Sequence, residues 1–268
     1  MLYAFSKSGA LRTTVNLSAA SGRSGVSGYL LAPFSDDGVL VYDVLNFRVH
    51  AYRWHSPTTL AEVGSVAVDA ATPEDLCTIG DTIFLLAAGG GHMIHPYALH
   101  GGGGMPFGTP PGSNRFVRRA RINAGGYLAC FSAAKVIVVG LAASGVIQAY
   151  RTDGTLLWQF TIPHFSGLTF RTMQDSTVQM SWNGTARDAV VSTLSVADGG
   201  VAVQVNRVVG LQQRIETTVL RLKSGQALSV QQDIPMMRRA AGTWVITSVD
   251  GPPSHADIYA IVPPEPDH

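Results

Sequence analysis

"DDGVLVYDVLNFRVHAYRW", residues 36–54, decides the fold. It reads as a polar turn, an apolar strand, a short loop, and a second strand that ends near an aromatic residue. The same order returns in residues 80–99, 133–154, 199–225 and 241–264. The N-terminal "MLYAFSKSG" supplies the second strand alone. Aligning the second strands puts Phe5, Tyr52, Tyr97, Tyr150, Leu220 and Tyr259 in one column, with spacings of 47, 45, 53, 70 and 39 residues. Long helical periodicity is absent. Short runs rich in β-branched and aromatic residues are broken by Gly, Asp and Ser instead, so the repeating unit is built of strands.

A period near 40–50 residues suits one blade of a β-propeller, an antiparallel sheet of four strands. With the strands of a blade named A to D, the segments above are B and C. An A strand reads before each pair: "YLLAPFS", "EDLCTIG", "GYLACFS", "AVVSTLS" and "PMMRRAA". A D strand reads after four of the C strands: "LRTTVNL", "TTLAEVG", "TLLWQFTI" and "QALSVQQ". The expected fold is an all-β, six-bladed propeller. Its first blade is incomplete, lacking A and B, and its last lacks D. Either upstream residues are missing from the ring, or the N-terminal strands complete the last blade and close a smaller one, which would remove exposed edges. Residues 1–262 read as a single domain, and 263–268, within "VPPEPDH", as a mobile tail.

Composition agrees. Apolar residues make up 46% and charged ones 14%, with 29 Gly and 14 Pro, a balance that favours tight-turned β structure over disorder. A net charge of +1 gives no global field to draw nucleic acid or an anionic membrane. No apolar run approaches the roughly 20 residues of a membrane helix. "MLYAFSKSGALRTT" lacks the basic start and apolar stretch of a secretory leader. The two cysteines cannot form a disulfide framework or a cysteine-based zinc site by themselves. Cys77 lies six residues before Ile83, and Cys130 six before Val136. If Ile83 and Val136 match, the cysteines are equivalent residues on neighbouring A strands. Packed sheets lie about 10 Å apart, and a disulfide wants Cα atoms within about 7 Å. Two free, buried thiols are therefore expected.

"VLVYDVLNFRVHAY" is similar to the core of an NHL repeat, with Asp43, Asn46 and Arg48 at the positions of its Asp-x-x-Asn-x-Arg signature. "VIQAYRTDGTLLWQF" resembles the C-turn-D half of the same repeat. The chain thus resembles the bacterial six-bladed propellers of the NHL or TolB-like group. That likeness implies an extracytoplasmic protein, periplasmic or secreted. Asp43 and Arg48 are expected to pair across the B–C hairpin, with Asn46 in the turn.

Three histidines cluster in "GGGHMIHPYALHGGGG": His92, His95 and His100. His92 and His95 are three apart, so on a strand they point to opposite faces. The stretch reads as strand C between glycine-rich turns, without a metal site. Pro96 places it near the outer edge of its blade. "NRFVRRARI" holds Arg118 and Arg119 among its arginines, and "PMMRRAAGTW" holds Arg238 and Arg239 on an A strand. These four are the candidate contacts for a ligand or partner. Trp54, Trp158, Trp182 and Trp244 are expected to pack between blades.

Signatures of nucleophilic, metallopeptidase, phosphate-loop or dinucleotide chemistry are absent. No catalytic residue and no cofactor is assigned. The expected function is a non-catalytic binding or scaffold module that uses the loops and channel mouth to hold a protein or small-molecule partner, with no nucleic acid. Alternatives are a hydrolase or lyase with a site at the channel mouth, and a structural subunit of a larger assembly.

Overall fold

The computed structural model describes residues 2–5, 11–17, 28–35, 37–56, 59–69, 72–89, 91–112, 125–174, 177–182, 185–195, 199–209, 214–232, 237–241, 244–249 and 255–260. They form strands joined in sheets of consecutive, antiparallel order. The chain divides into two compact units, Met1–Phe107 and Gly108–His268. No helix among the described residues is long and apolar enough to cross a membrane.

The first unit opens with the pair β1 (Leu2–Phe5) and β2 (Leu11–Val15). A four-stranded meander follows: β3 (Gly28–Phe34), β4 (Gly38–Asp43), β5 (Arg48–Ser56) and β6 (Thr59–Ala67). The third sheet is β7 (Asp75–Ile79), β8 (Thr82–Gly89) and β9 (His92–Ala98). Its outer side carries residues 101–107 as a broken fourth edge. Ile94 and Phe107 exchange backbone bonds of 3.0 and 2.9 Å, and Gly104 N donates to Pro96 O at 2.7 Å. A glycine run followed by Pro106 cannot sustain a regular ladder, because it supplies little side-chain packing and one N–H fewer.

The second unit holds β10 (Gly126–Phe131), β11 (Val136–Leu141), β12 (Val146–Arg151) and β13 (Leu156–Thr161) as one meander. Then come an isolated pair, β14 (Leu168–Thr172) and β15 (Val178–Trp182), and a second meander of β16 (Arg187–Ser195), β17 (Val201–Val209), β18 (Arg214–Lys223) and β19 (Gln226–Gln232). β20 (Met237–Ala241), β21 (Trp244–Val249) and β22 (His255–Ala260) form the last sheet. All five A strands and all four D strands read from the sequence are strands. The pair β14–β15 was not expected.

The sheets bury their two faces against different neighbours. Within the first unit, Leu40, Tyr42, Val49 and Ala51 of the four-stranded meander pack with Leu76, Ile83, Leu85 and Tyr97 of the third sheet. The opposite face of the same meander, with Val41, Tyr52 and Leu60, packs on Leu17. In the second unit, Val138, Ile147 and Ala149 pack with Val190, Val203 and Leu220. Alternation along each strand sends successive apolar residues to alternate sides, so a sheet buried on both faces reads as an unbroken apolar run. "VLVY" and "KVIVV" are such runs.

Cys77 and Cys130 are both disulfide-bonded. The expectation of free thiols fails on register. Ile83 lies opposite Tyr97, and Ile137, not Val136, lies opposite Tyr150. Thr78 therefore occupies in the third sheet the place that Cys130 occupies in its own, since they face Ile83 and Ile137. Cys77 is one residue out of step. In a period of two, one residue moves a side chain to the opposite face of its sheet, so the premise of equivalent, same-facing cysteines does not hold.

Candidate functional site

The connection from β13 to β16 spans residues 162–186, whereas the other D-to-A connections span 16–27, 68–74 and 233–236. Long connections within a compact fold are a common place for function. This one has a fixed base and a projecting hairpin.

The base is held from two sides. On one, Ile162 N donates to Gly145 O at 3.0 Å and Leu168 N to Ala143 O at 2.9 Å, tying the segment to the turn between β11 and β12. The Phe165 ring lies on Gly145, whose φ is +65°. A Cβ there would overlap the ring, so both backbone and space call for glycine. On the other side stands Asp188, fully buried on β16. Its carboxylate takes Arg207 Nε and Nη2, each at 2.7 Å, and Ser166 N at 2.7 Å. Arg207 Nη2 also donates to His164 O at 2.9 Å. Asp188 and Arg207 are directly opposite in the β16–β17 ladder, which suits the two-pronged guanidinium. Burial by itself would push the Asp188 carboxyl up, but the hydrogen bonds from Arg207 and Ser166 and the guanidinium charge outweigh it and hold it below the usual carboxylate range. One buried carboxylate thus fastens the two strands and the loop together.

Above this base, β14 and β15 pair Leu168 with Trp182, Phe170 with Met180 and Thr172 with Val178. Cross-strand partners share a face, so Leu168, Phe170, Val178, Met180 and Trp182 make one apolar side. Thr169, Arg171, Gln179 and Ser181 make the other, where Thr169 Oγ1 lies 2.9 Å from Ser181 Oγ. The apolar side is open at one end: Leu168, Phe170 and Val178 are half-buried, while Met180 is 50% and Trp182 37% exposed. The Arg187 guanidinium sits 5.8 Å from the centre of the Trp182 ring, within reach of a cation–π interaction. A lone two-stranded ribbon is only marginally stable in water. An amphipathic one on a built foundation has the features of a contact surface.

The Asp43, Asn46 and Arg48 motif forms a turn clamp in the first unit. Asp43 and Arg48 are backbone partners in register, and residues 44–47 make the turn. The buried Asp43 carboxylate accepts Asn46 Nδ2 at 2.6 Å and Leu45 N at 3.1 Å. Arg48 Nη2 reaches across to Ser65 Oγ at 3.0 Å on β6. The left-handed residue of the turn is Phe47, with φ +49°, whereas Asn46 serves through its side-chain amide. The buried His50 contacts Glu62 Oε1 through Nδ1 at 3.1 Å, so that nitrogen carries the proton, and its Nε2 lies 3.7 Å from Asp43 Oδ2.

The histidines separate as strand geometry requires. His92 is exposed at the start of β9, His95 is buried with Nε2 donating to Ala87 O at 3.2 Å, and His100 is exposed beyond the strand. Burial lowers the His95 pKa, opposed by the hydrogen bond to Ala87 and the charge of Asp69. Arg118 and Arg119 lie outside the described residues. Arg238 and Arg239 lie on β20, an A strand as expected; the ladder with β21 slips between Met237 and Arg239, so Arg238 sits at an irregularity. Trp54 and Trp158 pack against the cores, as anticipated. Trp182 does not: it stands on the hairpin, half-open to solvent. Asp188, Arg207 and the hairpin were not found in the sequence. The available signals were a long gap between D and A strands and the alternation in "LTFRT" and "VQMSW".

The chain is similar to a member of the DUF4221 family from Bacteroides vulgatus over 96% of its own length and 86% of the other, with a TM-score of 0.57 and 8% identity. It is also similar to a functionally unknown protein from Desulfotomaculum acetoxidans (89% and 84% of the two chains, TM-score 0.46, 12% identity). A third likeness is to virginiamycin B lyase from Staphylococcus aureus (73% and 76%, TM-score 0.39, 10% identity). No family model matches the sequence, and no curated protein matches it. The consecutive antiparallel meanders, buried on both faces, are blades, and the fold is an all-β propeller.

Proposed function

We propose that the chain is a non-catalytic binding module that recognises a protein or small-molecule partner through the hairpin β14–β15. The observation that carries this reading is the exposure of Met180 and Trp182 on the apolar side of a ribbon whose base is clamped by Asp188, Arg207 and Phe165. A rigid base removes much of the ordering cost of binding. Tryptophan offers a large, stiff contact area and methionine an adaptable one, and both are favoured in recognition surfaces. We further propose six blades, supported by the six sheets that hold a strand at the C position. Kinship with the NHL or TolB-like group is supported by the Asp43–Asn46 turn. An extracytoplasmic location is supported by two disulfide-bonded cysteines, since such bonds persist in oxidising compartments.

The test places a photo-crosslinking residue at Met180 and, as a control, at Leu228, an exposed position on β19. The expected result is a partner captured from position 180 alone, whose binding is reproduced with purified components and lost in Trp182→Ala at unchanged melting temperature. Purified partner binding equally well to the Trp182→Ala variant would overturn the reading. So would stoichiometric bound metal together with turnover of a substrate, which belongs to the enzyme alternative.

A further inference from the structure

Residues 101–107 close the outer edge of β9 unevenly. At one end the closure is firm. Ile94 and Phe107 exchange backbone bonds, Met93 N donates to Phe107 O at 3.3 Å, and the Phe107 ring meets the Phe84 ring edge-on, with centres 6.4 Å apart. At the other end it is slight. Gly101 N donates to Ala98 O at 3.1 Å, Ala98 N to Gly102 O at 3.1 Å, and Gly104 N to Pro96 O at 2.7 Å. Residues 101–105 are all exposed, and Met105, at 88%, packs on almost nothing. The closed form does not demand every glycine of this run. None of Gly101, Gly102, Gly103 and Gly104 has the left-handed backbone. A Cβ on Gly102 would meet nothing within 4 Å, and one on Gly103 would touch the Tyr97 ring at 3.4 Å, an ordinary contact distance. Alanine would fit at both. What glycine adds at these two positions is freedom in the detached chain, because it regains the most backbone conformations on release.

We propose that residues 101–105 are a strap that detaches from β9 while the rest of the third sheet stays folded, with Phe107 as its fixed end. Detachment breaks the bonds from Ala98 N to Gly102 O and from Gly104 N to Pro96 O, and bares the outer edge of β9 from Pro96 to Ala98. Exposed backbone bonds with little apolar packing lie at the low end of local stability, whereas β8, the middle strand of the same sheet, is paired on both sides. The bared edge is also guarded. In an antiparallel ladder the N and O of one residue point to the same side. Pro96 therefore faces the strap through its carbonyl and has no N–H to offer there. A foreign strand would find an interrupted ladder at that place, and the strap returns to it.

The experiment is native-state hydrogen exchange on the full chain, followed by amide NMR from zero to low urea. The amides of Ala98 and Gly104 report the strap, and that of Leu85, on β8, reports the sheet. The expected result is that Ala98 and Gly104 are at least ten-fold less protected than Leu85. Their exchange should not respond to low urea, because detachment of the strap exposes little new surface. Exchange at Leu85 should quicken with urea. In the double variant Gly102→Ala, Gly103→Ala, exchange at Ala98 and Gly104 should slow about four- to thirty-fold, since alanine has less freedom to gain in the detached chain. Equal protection and equal urea dependence at Ala98, Gly104 and Leu85 would overturn the proposal, because the edge would then open only with the whole sheet. That comparison is made on the unaltered chain, so it holds whether or not the variant folds. Exchange at Ala98 that is unchanged or faster in a folded double variant would overturn it as well.

Discussion

The Asp43 carboxylate is removed from solvent and serves two donors of the turn that follows it, Leu45 N and Asn46 Nδ2, with His50 close by. Replacing it with alanine removes a buried acceptor of two hydrogen bonds; its donors belong to the exposed Leu45 and Asn46 and can turn to water, so the cost is that of two net hydrogen bonds. Asp43→Ala is expected to lower the unfolding free energy by about 1–3 kcal/mol, and Asp43→Asn, which keeps one carbonyl oxygen, by less. Urea denaturation of both variants measures this; an Asp43→Ala midpoint equal to wild type would refute the clamp. His95 makes a pH-dependent contribution. Its folded pKa is lowered by burial, while the unfolded value is about 6.5. The unfolded chain therefore binds more protons as the pH drops below about 6.5. The stabilisation is complete above that pH and is lost as pH falls toward the lowered folded value. His95→Gln keeps an amide donor for Ala87 O but does not titrate. The stability difference between wild type and this variant should be constant above pH 7 and shift against wild type between pH 6.5 and 5. A difference that stays flat across that interval would show that His95 does not contribute in this way.

At the scale of an element, the connection 162–186 depends on contacts made by residues outside it. Arg207 is 39% exposed, so its charge is partly screened. The buried Asp188 that it serves is not, and losing the guanidinium strips that carboxylate of two short hydrogen bonds. Arg207→Ala should destabilise the protein by about 1–3 kcal/mol. It should also speed hydrogen exchange at the Ser166 amide, which donates to the same carboxylate. Arg207→Lys should recover little, because an ammonium cannot supply the paired donors. If exchange at Ser166 is unchanged in Arg207→Ala, the base is held by Phe165 and Gly145 instead. The clamp also explains why a ribbon with an open apolar side remains in place: its entry and exit are both fastened, and only the pairing between β14 and β15 is left to its own stability.

For the whole molecule, the cysteines give the most direct check. The unfolded, unreduced protein should show no reactive thiol, and two after reduction, because both cysteines are bonded. Reduction should lower the melting temperature, in line with a typical disulfide contribution of about 2–4 kcal/mol. Two thiols titrating without reductant would contradict the bonded state.

How much of this was legible beforehand follows the range of the interactions involved. Strand positions such as β7 and β10 could be read directly, because a strand buried on one or both faces leaves a local trace in alternation, β-branched residues and punctuating Gly, Asp and Ser. The Asp43–Asn46 turn was legible for the same reason, since its partners lie three residues apart. The sequence alone thus determined the all-β class, the blade repeat and the order of strands in it. Tertiary structure decided the rest. The face on which Cys77 lies depends on the ladder opposite Ile83, and a one-residue error there reverses it. Asp188 meets Arg207 only because β16 and β17 pair in one register. Trp182 reads as a packed residue by composition, and only the packing around it left it open. Local periodicity records which residues prefer burial, but whether a neighbour arrives to bury them, and in which register, is set by contacts between segments distant in sequence.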